Sequence, residues 1–202
     1  MRNRYLEVCE IIKKHCPHPR VALREGIPYT NSRYDGHAHR DYRRSLVSRY
    51  SWAAPYPHSL EAVARFSPLV EMGSGSGYWA ALLTDLGADV MCYDTYRFNG
   101  NGAYTFHHAY YPIRQASPSV LKRVSPKRNL FLCWPPFNVP FAGRCLRHFR
   151  GEYVIYIGEG DGGCTGDNAF HEALGRDWTE VETFGVVRWQ GLHDKGYIYR
   201  RK

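Results

Sequence analysis

No apolar run in this 202-residue chain approaches the ~20 residues that cross a bilayer, so no membrane span is expected. Met1-Arg2-Asn3-Arg4 leads into an amphipathic segment and lacks the uninterrupted apolar core of a secretory signal. The six cysteines, at positions 9, 16, 92, 133, 145 and 164, are scattered. Cys92 and Cys133 fall inside predicted buried strands, which points to reduced thiols and a cytoplasmic site rather than a disulfide scaffold. Neither His15, Cys16 and His18 nor His37 and His39 show the paired spacing of a structural zinc site, so no metal is expected. Internal repeats and low-complexity tracts are absent as well. Acidic residues are in the minority, 19 against 27 basic, for a net charge of +8. That imbalance favours anionic partners, nucleic acid first among them. At 44% hydrophobic, the chain is long enough for one domain with a full core and a modest extension.

What the chain does have is concentrated between Leu69 and Asp94. Pro68 to Met72 is a short apolar run that stops at glycine, as a buried parallel strand does. Gly73, Gly75 and Gly77 follow at every second position, where a missing Cβ permits tight turns and close approach of a ligand to the main chain. Tyr78 to Leu86 reads as a helix with Gly87 at its C-terminal cap, and Ala88 to Tyr93 as a second strand. Asp94 lies 21 positions after Gly73, near the spacing at which a carboxylate meets ribose hydroxyls. The dinucleotide fingerprint needs a third glycine where this chain has Tyr78, so the match to it is poor.

Elsewhere, periodicity predicts helices over residues 3–16 and from His39 to Tyr50, with irregular chain over 17–38 between them. Ser59 is placed to cap a helix from Leu60 to Phe66. Residues 96–116 show no clear period. A short helix is expected from Ser117 to Val124, and strands are expected at Asn129–Cys133 and Glu152–Ile157. Pro140 to Phe149 reads as a helix, as does the stretch from Asp167 to Leu174, ended by Gly175. Trp178–Phe184 and Gly196–Arg200 read as a final antiparallel pair. The expected division is a helical extension over 1–58 and a cofactor domain over 59–202.

The pattern E-x-G-x-G-x-G with its distal acid resembles motif I of the class I S-adenosylmethionine (AdoMet) methyltransferases, and the order of elements from about Ser59 onward resembles theirs. The resemblance implies a doubly wound, seven-stranded α/β sheet, mostly parallel, with an antiparallel final hairpin and, here, an N-terminal helical extension. It implies AdoMet as cofactor, with Glu71 beneath the loop, Gly73, Gly75 and Gly77 against the methionine part, Asp94 on the ribose, and Cys133 at the next strand end. Trp134-Pro135-Pro136-Phe137 resembles motif IV of the amino-group methyltransferases, where a polar residue and a main-chain carbonyl accept from the target amine and the aromatic stacks on a flipped base. Trp134 stands in the polar position and offers only an N–H donor, which sets N6-adenine and N4-cytosine chemistry against the sequence. The same residues also read simply as a proline pair ending a strand.

The candidate catalytic residues are Trp134, Pro135, Phe137 and Glu159, the last as base or amine acceptor at a strand end, with a solvated loop acid as its plain alternative. Asp167 reads as a helix cap. Trp52 reads either as a ring near the cofactor or as core packing. Arg40, Arg43, Arg44 and Arg49 share a helix face with Tyr34, Tyr42 and Tyr50 nearby, and either track phosphates or are merely solvated. The expected function is an AdoMet-dependent methyltransferase acting on nucleic acid, RNA ahead of DNA. The alternatives are a methyltransferase-like binding or structural protein that has lost catalysis, and a methyltransferase of small molecules or proteins.

Overall fold

Strands that carry helices on both faces are buried along most of their length, and the central strands of this chain are. A computed structural model describes residues 1–15, 38–95, 106, 108–189 and 191–202. In β1 (Leu69–Met72) all four residues are buried. It is flanked by β2 (Val90–Asp94) and β4 (Asn129–Cys133), and β5 (Tyr153–Gly158) lies beyond β4. With β3 (Arg114–Gln115), β6 (Trp178–Gly185) and β7 (Lys195–Arg201), the sheet has seven strands in the order β3-β2-β1-β4-β5-β7-β6. The pairs β3/β2, β2/β1, β1/β4 and β4/β5 are parallel. β7 runs antiparallel to both β5 and β6.

The period of two divides each central strand between two cores. Leu69, Phe131, Ile155 and Ile157 face one core. Val70, Leu130, Leu132, Val154 and Tyr156 face the other. The first core takes residues from α1 (Arg4–His15), α2 (Ala38–Arg49), α3 (Pro57–Ala64) and α4 (Tyr78–Asp85). The second takes them from a 3-10 turn at Pro118–Lys122, α5 (Ala142–His148) and α6 (Asn168–Asp177).

The N-terminal segment is knitted onto α4. Asn3 Oδ1 accepts the Leu6 N–H at 3.1 Å, capping α1, while its Nδ2 donates to the Pro55 carbonyl at 2.8 Å. The Tyr78 hydroxyl accepts the Tyr5 N–H at 3.1 Å and donates to Asn3 Oδ1 at 3.0 Å. Trp79 Nε1 donates to the Ala53 carbonyl at 2.9 Å. The expected boundary at residue 58 falls inside α3.

Some local expectations are corrected. Ser59 is not the cap of α3: the helix starts at Pro57, with Tyr56 as the capping residue. Proline suits the first helical position because the N–H it lacks would have no helical partner there. Ser59 Oγ instead accepts the Tyr56 N–H at 3.0 Å and donates to the Gly185 carbonyl at 2.7 Å. Gly175 does not end α6, which runs on to Asp177 and passes straight into β6. Among the described residues of the stretch 96–116, which shows no clear period in the sequence, Arg114–Gln115 forms the third strand. The irregular stretch expected over 17–38 lies outside the described residues, apart from Ala38.

Candidate cofactor and acceptor site

The chain leaves β1 for β2 on one side and returns through β4 on the other, which opens a crevice at the carboxyl ends of β1 and β4. The glycine loop lies there. The Gly73 and Ser74 N–H groups donate to the Tyr93 carbonyl at 2.9 and 3.2 Å, folding the loop toward the end of β2. The Gly75 N–H donates to Asp94 Oδ2 at 2.9 Å. Gly75 and Gly77 have φ of +56° and +70°. A Cβ on the first would stand 2.7 Å from the Phe106 ring, and on the second 2.8 Å from Tyr111 Cβ, so only glycine fits either place. The Tyr110 N–H donates to the Ser76 carbonyl at 2.8 Å, and Ser76 Oγ donates to the Tyr50 carbonyl. The extension and Phe106, Tyr110 and Tyr111 therefore close on the loop.

Glu71 is buried beneath this loop. Burial pushes its carboxyl up to about 8, against a hydrogen bond from the Cys92 thiol at 3.4 Å and with the Asp94 charge adding to the rise. Cys133, at the end of β4, has its thiol pushed upward by burial, with the Glu71 and Asp194 charges adding to it. The structure thus brings Glu71, Gly73, Gly75, Gly77 and Asp94 together around one loop, with Cys133 two strands from Asp94.

Trp134 has φ of +52°, a backbone conformation that bulky residues rarely adopt and that marks a constrained position. Its N–H donates to the Ile157 carbonyl at 2.7 Å. Its indole N–H donates to Asp194 Oδ2 at 2.9 Å. The Trp52 ring stacks on it at 5.1 Å with the planes 17° apart. The Arg43 guanidinium lies over both rings, 4.9 Å from Trp134 and 5.3 Å from Trp52. The Pro135 carbonyl accepts the Gly166 N–H at 3.0 Å, and the Asn138 N–H donates to the Gly166 carbonyl at 2.9 Å. Phe137 is 53% exposed and stands apart from the stack.

Glu159 is bound on both oxygens: Oε1 accepts the His193 N–H and Oε2 the Cys164 N–H, each at 2.8 Å. Burial alone would raise its carboxyl, but hydrogen bonds from Cys164 and His193 outweigh it and the net shift is downward. Asp167 caps α6, with Oδ1 accepting the Phe170 N–H at 3.2 Å, and ties α5 to it by accepting the Gly143 N–H on Oδ2 at 3.0 Å.

The basic face of α2 is not uniform. Arg43 is turned onto the tryptophans, because a planar guanidinium gains on aromatic faces what it loses in water. Arg49 is exposed and lies over the Tyr50 ring at 5.7 Å. The side chains of Arg40, Arg44, Tyr34 and Tyr42 lie outside the described residues, as do those of His15, Cys16, His18, His37 and His39. Among the described residues no three His, Cys, Asp or Glu side chains gather as a metal would require, and no helix is long and apolar enough to cross a membrane.

One acid of the crevice escaped sequence reasoning. Asp194, in Gly191-Leu192-His193-Asp194-Lys195, is 1% exposed. It sits immediately before β7, where Lys195 pairs with Gly158 at the end of β5. Nothing in its local spacing singles it out, since only the antiparallel return of β7 carries it to this edge of the sheet.

No family model and no curated protein sequence matches the chain. Solved structures do. The magnesium protoporphyrin IX methyltransferase from Synechocystis PCC 6803 with bound SAH is 12% identical, over 72% of this chain and 82% of that one, with a TM-score of 0.50. A TehB-like SAM-dependent methyltransferase from Corynebacterium glutamicum is 16% identical over 71% and 86%, with a TM-score of 0.46. An rRNA methylase from Streptococcus thermophilus is 13% identical over 71% and 94%, at 0.45. Identities this low speak of fold. The strand order and the antiparallel β7, together with the first of these likenesses, establish that the chain has the class I AdoMet-dependent methyltransferase fold.

Proposed function

We propose that this chain is an AdoMet-dependent methyltransferase acting on nucleic acid inside the cell, RNA ahead of DNA. The observation that carries the cofactor is the pairing of the Gly75 N–H, in the loop after β1, with Asp94 at the end of β2. A loop with glycine at alternate positions beside a half-buried carboxylate fits a ligand with a hydroxyl-bearing sugar and a close-lying chain. In this reading Gly73, Gly75 and Gly77 support the methionine part, Asp94 holds the ribose, and Glu71 stays protonated below. AdoMet supplies an electrophilic methyl group when bound. The chain's own task is then mainly to align the acceptor with it, since correct positioning can supply most of the rate.

Support for a nucleic-acid acceptor comes from the net charge of +8 and from an opening of about 820 Å³ bordered by Arg49, Ser45, Tyr50, His108 and Tyr110. A guanidinium beside tyrosine rings suits a phosphate and a stacked base. The five described cysteines are unpaired, which supports a reducing compartment.

Calorimetry with AdoMet is expected to give heat that Asp94→Ala abolishes. No heat with either AdoMet or its demethylated product would sink the cofactor reading. Labelled AdoMet offered to total RNA, DNA and protein is expected to label RNA most, with Gly75→Asp inactive. Binding to RNA should weaken as salt rises; affinity indifferent to salt would reject phosphate contacts.

A second reading, a methyltransferase-like binding protein, draws on the acceptor side. Trp134 presents a donor, the Pro135 carbonyl is engaged by Gly166, and both Glu159 oxygens are taken. AdoMet binding without label transfer to any pool would favour it.

A further inference from the structure

Motif IV chemistry needs an acceptor for the proton-bearing group at the end of β4, and Trp134 cannot be one. The carboxylate beside it can. Among the described residues, Asp194 is held on one side only: Oδ2 accepts the Trp134 indole N–H, whereas Oδ1 is buried without a hydrogen-bond partner. A carboxylate oxygen left unpaired in a buried place is costly, and such groups gather where a substrate completes them. Over the Trp134 ring lies Arg43, whose Nε and Nη2 are likewise buried without a hydrogen-bond partner among the described residues. Stacking and the charges of Asp194 and Glu159 hold that guanidinium, which an entering acceptor has to displace from the Trp134 face.

We propose that Asp194 is the catalytic base of this crevice, taking through Oδ1 the proton of an N–H or O–H acceptor positioned against Trp134. The inference rests on the methyltransferase reading above. In the step, the acceptor's lone pair forms the new bond to the methyl carbon. The carbon–sulfur bond breaks with its electron pair going to sulfur, and the acceptor's proton passes to Asp194 and then to water. Glu159 cannot serve as well, because both its oxygens are occupied and its carboxyl is held low.

The surroundings of Asp194 tune it for this. Burial raises its carboxyl to about 6, with the Trp134 hydrogen bond and Arg43 opposing, Glu159 adding to the rise and Arg188 opposing. Among the described residues, Tyr5, Cys133, Tyr156, Cys164 and Tyr197 also feel its charge, with His193 its neighbour in the chain. A base near neutrality is what proton transfer at physiological pH favours.

The test is Asp194→Asn, whose side-chain oxygen still accepts from Trp134. Calorimetry should show unchanged AdoMet affinity, and label transfer should fall about 100-fold or more. Independently of activity, tryptophan emission of the wild type should titrate with a midpoint near 6, as the Asp194 carboxyl does. Wild-type transfer should rise through the same midpoint, and Asp194→Asn should lack that titration. Transfer by the variant within about tenfold of wild type overturns the proposal, as does an emission midpoint that survives the substitution. Wild type that binds AdoMet and labels nothing also overturns it, in favour of a binding protein. Absence of AdoMet heat rejects the cofactor reading itself and removes the basis of this one.

Discussion

Gly77→Ala should cost this protein several kcal/mol, and the cause is backbone geometry. Gly77 sits at the start of α4 with φ of +70°, where an L-residue pays about 1–2 kcal/mol. The new Cβ would stand 2.8 Å from Tyr111 Cβ and 3.2 Å from the Tyr111 backbone nitrogen. The Tyr111 main chain is tethered, since the neighbouring Tyr110 N–H donates to the Ser76 carbonyl. Overpacking against such a neighbour adds about 1–3 kcal/mol. The sum is about 2–5 kcal/mol. Gly175→Ala is the matched control. It lies exposed inside α6 with no atom within 4 Å of its would-be Cβ, and should gain up to about 1 kcal/mol from helix propensity. Urea unfolding of both variants measures the difference. A Gly77→Ala variant within about 0.5 kcal/mol of wild type, the range of an ordinary surface change, would refute the reasoning.

Glu71 predicts a pH dependence. Its folded carboxyl is raised from 4.5 to about 8, so the folded state holds its proton longer than the unfolded one. Stability from this group is full below the ordinary value and declines as pH rises to about 8, by at most about 1.4 kcal/mol per pH unit. Glu71→Gln should flatten that slope in unfolding measured from pH 5 upward; equal slopes would reject the protonated form. Asp167→Ala should cost about 2–3 kcal/mol, since it removes the α6 cap and leaves the Gly143 N–H without its acceptor; a loss below about 0.5 kcal/mol would show that water substitutes for it. Tyr78→Phe should cost about 1–3 kcal/mol by releasing the Tyr5 N–H and Asn3. It should also expose α1 to protease before the sheet, and unchanged cleavage would mean that the stacked rings alone hold the helix.

Much of the architecture was legible because its signals are local. A four-residue apolar run, glycines at alternate positions and an acid at the next strand end are each set by neighbours in the chain, so β1, the loop, α4 and β2 were found within two residues of their ends. Helix starts were less legible. At α3 the proline at the first position and the reciprocal bonds of Tyr56 and Ser59 outweighed the serine-cap rule. At the other end of a helix, Gly175 is tolerated inside α6, which runs on to Asp177 and directly into β6.

The acceptor side shows the opposite case. Trp134 could be read as a departure from a polar position, but not that its indole would fasten Asp194, 60 residues on. Trp52 read either as a ring near the cofactor or as packing, and Arg43 as part of a phosphate-tracking or solvated face, and only folding put both on the same ring. Local order along the chain determined the sheet and its glycine cradle, because strand, turn and helix preferences act over a few residues. The company of Trp134 was decided by tertiary structure alone. The antiparallel return of β7 and the docking of α2 bring together side chains that share no period, and burial then sets their charge.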